Sequence, residues 1–319
     1  MIKFFLGNRI IALFFLPIII LIFHILNYQF QFYETGTGIN YGFWHGLINF
    51  PELFNQLLAG VFVLFNASYL NYLYNNYNFQ EKNTYIISLI YVILISFYYS
   101  FYRLDGILIS QTFFILGLTQ LFKLKQNQDG KEAIFNSAVF LGCASTFDPS
   151  LILFFPVYIV MYLIIRPFIL QELILFITGF ISPILVGITY LKWAGKKLTS
   201  KLLIDNNGIE PNKDLILILI FISIFLILSF IGIRNRITKS SNRIKKQIQI
   251  IWIVLFLSIC LGSIHLLYFK QIEHISLTTI PLAILLSYSF LNKRYSLLTT
   301  FLFYLTIGYA VIKFFILTN

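Results

Sequence analysis

The sequence predicts an all-α protein: a polytopic integral membrane helix bundle of about eleven transmembrane helices, with its N-terminus in the cytoplasm. Three observations predict it. Apolar residues make up 59% of 319 positions and charged residues only 11%, against the ~25% charged residues of an ordinary soluble domain. The apolar residues gather in eleven stretches, most near the ~20 residues that cross a ~30 Å hydrocarbon core. The loops between them sort their charges by sign. From Arg234-Asn-Arg236 to Arg243-Ile-Lys245-Lys246, six positive charges and no acid separate two apolar runs. Each would cost ~2.5–3.5 kcal/mol at a helix centre, so the block lies outside the hydrocarbon.

The segments follow in order. The first, 10–27, is preceded by Lys3 and Arg9 like a signal peptide, but no small-residue cleavage site follows, so it reads as a retained helix. Next come 53–73, 84–102, 107–123 and 133–146, the last two short enough to be tilted or partly re-entrant. Segments 150–166 and 170–191 follow, and the second carries Gly179, Pro183 and Gly187 at four-residue spacing. On a helix that spacing puts a notch and a kink on one face, which suits close helix packing. Segments 215–233 and 248–268 flank the basic block, and 275–291 and 296–317 complete the set. Length leaves little for a separate soluble domain, so 1–319 reads as one integral membrane domain.

A cytoplasmic N-terminus puts 15 of the 23 basic residues on the inner side and 8 of the 12 acids on the outer side. The opposite orientation would reverse the basic count. The net charge of +11 sits in short loops beside apolar runs, where topology signals sit, so no nucleic-acid partner is expected. Cys143 and Cys260 lie inside apolar segments without metal or disulfide spacing and read as small buried hydrophobes.

A few polar residues stand out on the outer side. Glu34 is the first acid of outer loop one, ringed by aromatics from Tyr28 to Trp44. A poorly hydrated carboxylate has a raised pKa and can act as a base, whereas the plainer reading is a solvated acid in an interfacial belt. His45 follows Trp44 as a common interface pair. Arg103 and Asp105 share a tight outer turn, where they pair locally or where the arginine reaches a lipid phosphate. Asp148-Pro149 is a helix N-terminus signal, with Asp as the cap. Lys192, Lys196, Lys197 and Lys201 run against the charge sorting. They form either a short helix on anionic headgroups or a basic rim for the phosphate of a lipid-linked substrate. His24, His265 and His274 lie toward the same surface but lack the spacing of a zinc site, so no metal ligand set is assigned.

Three stretches carry a family resemblance. They are Asn66-Ala-Ser-Tyr-Leu-Asn-Tyr-Leu-Tyr followed by Tyr102-Arg-Leu-Asp-Gly106, then Ala138-Val-Phe-Leu-Gly142-Cys-Ala-Ser-Thr-Phe-Asp-Pro149. The last is Lys270-Gln-Ile-Glu-His274 leading to Thr279-Ile-Pro281-Leu-Ala-Ile-Leu-Leu. With the overall layout they resemble the GT-C superfamily of polytopic glycosyltransferases. The Phe, Ile, Asn and Lys bias is similar to that of membrane proteins from AT-rich Bacteroidota genomes. The resemblance implies a multi-pass protein of the cell inner membrane that transfers a sugar from a polyprenyl-phosphate donor at the periplasmic face. It implies Glu34 as the catalytic carboxylate, assisted by Mg²⁺ or Mn²⁺, with Arg103, Lys196, Lys197 and Lys201 on the phosphate. His45, Asp105, Asp148 and His274 are secondary candidates. The chain departs from the family where Glu34 stands without a paired acid and where Phe147-Asp148 replaces a usual lysine. Two other classes fit the residues: a non-catalytic scaffold subunit of an envelope complex, and a carrier or flippase of a lipid-linked substrate. The spans hold few ionisable groups, which disfavours ion-coupled transport. Membrane lipids are partners in every case.

Overall fold

The computed structural model describes residues 2–7, 11–33, 39, 42–45, 50–125, 129–195, 213–269, 271–291 and 296–316, with side chains 3, 213–219, 221, 291, 296 and 316 left undescribed. Among the described residues every regular element is a helix. In order they are α1 (Ile2–Leu6), α2 (Ile11–Phe14), α3 (Leu16–Phe30), α4 (Glu52–Asn76), α5 (Ile86–Ile95), α6 (Gly106–Lys123) and α7 (Lys131–Phe147). Then come α8 (Phe154–Ile165), α9 (Leu170–Trp193), α10 (Lys213–Lys239), α11 (Asn242–Phe269), α12 (Thr279–Ser287) and α13 (Ser296–Ile316). Short 3-10 turns precede α6, α8 and α12, and another follows α12.

Among the described residues six helices are long and apolar enough to cross a membrane: Ile11–Phe30, Glu52–Asn76, Gly106–Lys123, Leu170–Trp193, Asn242–Phe269 and Leu297–Phe315. Their outward faces are as greasy as their inward ones. On α3, Leu16, Ile20, Phe23 and Asn27 form the buried stripe, while Ile18, Leu21, Ile22 and Ile25 are exposed. Leu57 and Val61 of α4 and Leu185 and Val186 of α9 are exposed in the same way. Water would not tolerate so much contiguous apolar surface, whereas lipid tails cover it at no cost. The chain is a membrane protein.

At the centre lie two short helices that the hydropathy pattern does not distinguish from the rest. All ten residues of α5 and all nine of α12 are buried, and the two pack against each other. At 1.5 Å per residue α5 is only about 15 Å long, half a hydrocarbon core. The segments expected at 84–102 and 275–291 are therefore a buried axis, extended by 3-10 turns at Tyr99–Phe101, Glu273–Thr278 and Tyr288–Leu291.

Helices α6, α7 and α9 form a tightly packed layer. The small residues of α9 face α7. Gly179 fits against the Phe135 carbonyl and Ala138, and Pro183 packs on Gly142. Gly187 lies against Phe43 and Thr146. A Cβ at Gly142 would strike the Phe180 carbonyl oxygen.

The basic block at the α10–α11 junction does more than mark topology. Arg236 donates to the carbonyls of Phe79 (3.0 Å) and Asn78 (3.1 Å) and pairs with Glu81. Arg243 donates to the Phe122 carbonyl (3.1 Å) and Lys246 to the Ile165 carbonyl (3.0 Å). Phe122 and Ile165 end α6 and α8, where carbonyls lack partners within the helix and the macrodipole favours a cation.

Candidate functional site

At the other end of the bundle the turns that the sequence assigns to the outer side converge. The turn before α6 is built by Asn55 of α4, which is fully buried and grips Leu104 through both its amide nitrogen and its oxygen (3.3 and 2.7 Å). Asp105 then caps α6, accepting from the Leu108 amide (2.8 Å) and the Ser100 hydroxyl (3.1 Å). Its carboxyl is 2% exposed. Burial, helped by the Glu273 charge, pushes its pKa up to about 6 against the opposing pull of Arg103 and those two hydrogen bonds.

Beside the pull of Arg103 on Asp105 within this turn, the arginine makes a long-range pair. Arg103 Nη2 lies 2.8 Å from Glu273 Oε1, and its guanidinium sits over the Tyr99 ring. Next to Glu273, the His274 Nδ1 lies 3.2 Å from Asp148 Oδ2. The other Asp148 oxygen accepts from the Ser150 amide (3.0 Å) and from the Ser150 hydroxyl, so Asp148 is a helix cap and a histidine partner at once. Burial by itself would raise the Asp148 pKa, but His274, Ser150 and His265 together hold it below the usual carboxylate value. The His265 ring stacks on His274 at 3.7 Å between centroids. A buried polar chain runs behind this group: Asn66 donates to the Tyr91 hydroxyl (3.3 Å), Tyr91 to Gln111 (2.8 Å), and Gln111 to the Ser276 hydroxyl (2.8 Å). Four segments distant in sequence thus share one polar cluster.

Both described ends of outer loop one pack on residues next to it in sequence. Asn27 closes the chain after α3, donating to the Tyr33 carbonyl and accepting from its amide, with Gln31 in the left-handed region at φ 47°. Tyr33 stacks on Tyr102 at 4.6 Å and 15°, one residue from Arg103. At the far end Phe43 donates its amide to the Thr146 carbonyl (2.8 Å), and Trp44 Nε1 to the Thr146 hydroxyl (3.2 Å). That places the exposed His45 close to the α7 end that carries Asp148.

Among the expected site residues, Arg103, Asp105, Asp148 and His274 are therefore brought together, and His45 lies at the rim. Glu34, Lys196, Lys197 and Lys201 lie outside the described residues. Among the described residues no group of three or more His, Cys, Asp or Glu is placed to hold a metal ion. Sequence reasoning missed Lys313. This residue of α13 is 1% exposed and donates to the Tyr33 hydroxyl (2.9 Å) and the Ser96 carbonyl (2.8 Å). Its ammonium sits 4.6–5.0 Å from the ring centroids of Phe97, Tyr33 and Phe314, within cation–π range. The signal was available: a single cation inside the apolar segment 296–317 is by default a functional candidate.

No protein family, no curated protein and no solved structure matches the chain.

Proposed function

We propose that the chain is an inner-membrane enzyme with about eleven membrane crossings and a cytoplasmic N-terminus. It transfers a sugar from a polyprenyl-phosphate donor at the periplasmic end of the bundle, as GT-C glycosyltransferases do. The observation that carries this reading is the convergence of Arg103, Asp105, Asp148 and His274, from turns far apart in sequence, with the described ends of outer loop one packed on the neighbouring residues Tyr102 and Thr146.

A lipid-phosphate donor needs cations held at the membrane surface and a carboxylate beside the acceptor hydroxyl. Arg103 is held in one orientation by Glu273 and Tyr99 while its side chain keeps 15% exposure, which presents a fixed guanidinium, the group that suits a phosphate oxygen. Lys196, Lys197 and Lys201 complete the phosphate set in this reading. Glu34, next to the Tyr33 that stacks on Tyr102, takes the acceptor proton as general base. The acceptor oxygen then attacks the anomeric carbon while the polyprenyl phosphate leaves with the bond electrons. Mg²⁺ or Mn²⁺ would serve here as counter-charge on the donor phosphate.

A scaffold role in an envelope complex is the second reading. It is favoured by the burial of Asp105, Asp148 and His274, each 3% exposed or less, which suits a structural polar core. One experiment separates the two. Membranes containing the full chain are supplied with undecaprenyl-phosphate-linked hexoses, and release of undecaprenyl phosphate is followed. Release by the native protein, reduced at least ~10²-fold by Glu34→Gln and strongly by Arg103→Gln, is the expected outcome. Release that is absent, or unchanged in Glu34→Gln, overturns the enzyme reading in favour of the scaffold.

A further inference from the structure

Helix α6 begins at the polar cluster and ends about 27 Å away, at 1.5 Å per residue, beside a second group of polar side chains that this chemistry does not use. There the last turn of α6, the end of α8 and the start of α11 enclose a cavity of about 260 Å³. Its walls carry Lys125, Arg243 and Lys246, and its apolar part is formed by Phe122, Leu124 and Ile165. Arg243 and Lys246 are anchored, since each gives one hydrogen bond to a helix-terminal carbonyl and Arg243 also lies over the Tyr77 ring at 5.7 Å. Each retains further N–H donors beyond these bonds. The 28-residue α11 starts at this cavity, adding the positive end of its dipole. The Arg166–Glu172 pair close by is mutually neutralised at 3.0 Å, so it does not offset the three cations.

Gln247 supplies an independent sign of a ligand. It lines the same cavity, is 3% exposed, and its buried Oε1 has no hydrogen-bond partner among the described residues. A buried acceptor left empty is costly, so a donor from outside the chain belongs there. Three cations against an uncharged acceptor select an anion that also carries a neutral donor. A hydroxyl meets that need, whereas an ammonium group would be repelled.

We propose that this cavity binds a phosphate ester bearing a neighbouring hydroxyl, the phosphate on Lys125, Arg243 and Lys246 and the hydroxyl on Gln247. The apolar portion and the position at the bundle's positive end suit the headgroup and first acyl carbons of a glycerol-based anionic lipid.

The test uses the full chain in nanodiscs of phosphatidylglycerol diluted in phosphatidylcholine, with lipid retention read by native mass spectrometry. The native protein is expected to retain phosphatidylglycerol over phosphatidylcholine. Lys125→Ala and Gln247→Leu avoid the two capping cations, so folding is preserved. Each should lower retention roughly fivefold, while Lys239→Ala, an exposed cation beyond the cavity, should not. Soluble glycerol phosphate is then added as competitor. Resistance to it identifies the membrane lipid as the source, and displacement identifies a free phosphate ester in the same site. Equal retention by the native protein and both cavity variants, or an equal loss in Lys239→Ala, overturns the proposal.

Discussion

Asp105 commits its oxygens to the Leu108 amide and the Ser100 hydroxyl, yet burial still pushes its pKa up to about 6. The direction fixes a pH dependence. Between the unfolded value near ~4 and about 6, the folded chain keeps a proton that the unfolded chain has lost. The stability Asp105 contributes is therefore full below that window and falls as pH rises through it. Across the whole window the loss amounts to about 3 kcal/mol at most. Asp105→Asn keeps the cap, since Asn and Asp are equivalent there. Thermal unfolding in detergent from about pH 4 to pH 8 should accordingly show the variant gaining on the native protein as pH rises, and parallel curves would contradict the assignment. Asp148 acts in the opposite sense, because its lowered pKa gives stability above the unfolded value that disappears as the solution is acidified further. Asp148 was readable as a helix cap from Asp-Pro before an apolar run, and Arg103 and Asp105 as sharing a tight turn. Their other partners were not, because His274 lies 126 positions from Asp148 and Glu273 lies 170 from Arg103, separations over which local pattern carries no information.

Helix α5 and helix α3 look alike in hydropathy, yet one is wholly buried and the other shows Ile18, Leu21 and Ile25 to the outside. In water the exposed face of a helix turns polar and the period of the pattern reveals it. In lipid both faces are apolar, so the sequence disclosed where the apolar stretches lie but not which of them form the inner axis. Small residues were the better guide. The Gly179, Pro183 and Gly187 spacing announced a packing face, and that face meets α7 at Gly142. Gly142→Val should therefore force α7 and α9 apart and cost about 1–3 kcal/mol or more, the usual range for overpacking. Gly308→Ala in α13, where an added Cβ meets nothing within 4 Å, should raise stability by up to ~1 kcal/mol through helix propensity. Thermal unfolding of the two variants in detergent reads the contrast, and equal effects would show that the α7–α9 seam is not close-packed.

For the molecule as a whole, charge sorting and contact geometry agree. Arg236 meets Glu81, and Arg243 and Lys246 meet the ends of α6 and α8. Arg103 meets Glu273 and Asp148 meets His274. In each case the contact joins residues assigned by sequence to the same side. With Cys143 and Cys260 replaced, single cysteines at positions 45 and 240 should label from opposite faces of intact cells, and labelling from one face would reverse the topology. Which loops share a side was legible at this scale because it follows from the order of the apolar runs and the charges between them, which sequence states directly. The cations of the α10–α11 junction also bear on biogenesis. Residues 78, 79, 122 and 165 leave the ribosome long before the side chains at 236, 243 and 246 that satisfy their carbonyls. The early helices must therefore insert with open C-termini and wait for the late hairpin to lock them, so a nascent chain stopped short of that hairpin should be recognised by quality-control proteases as unfinished.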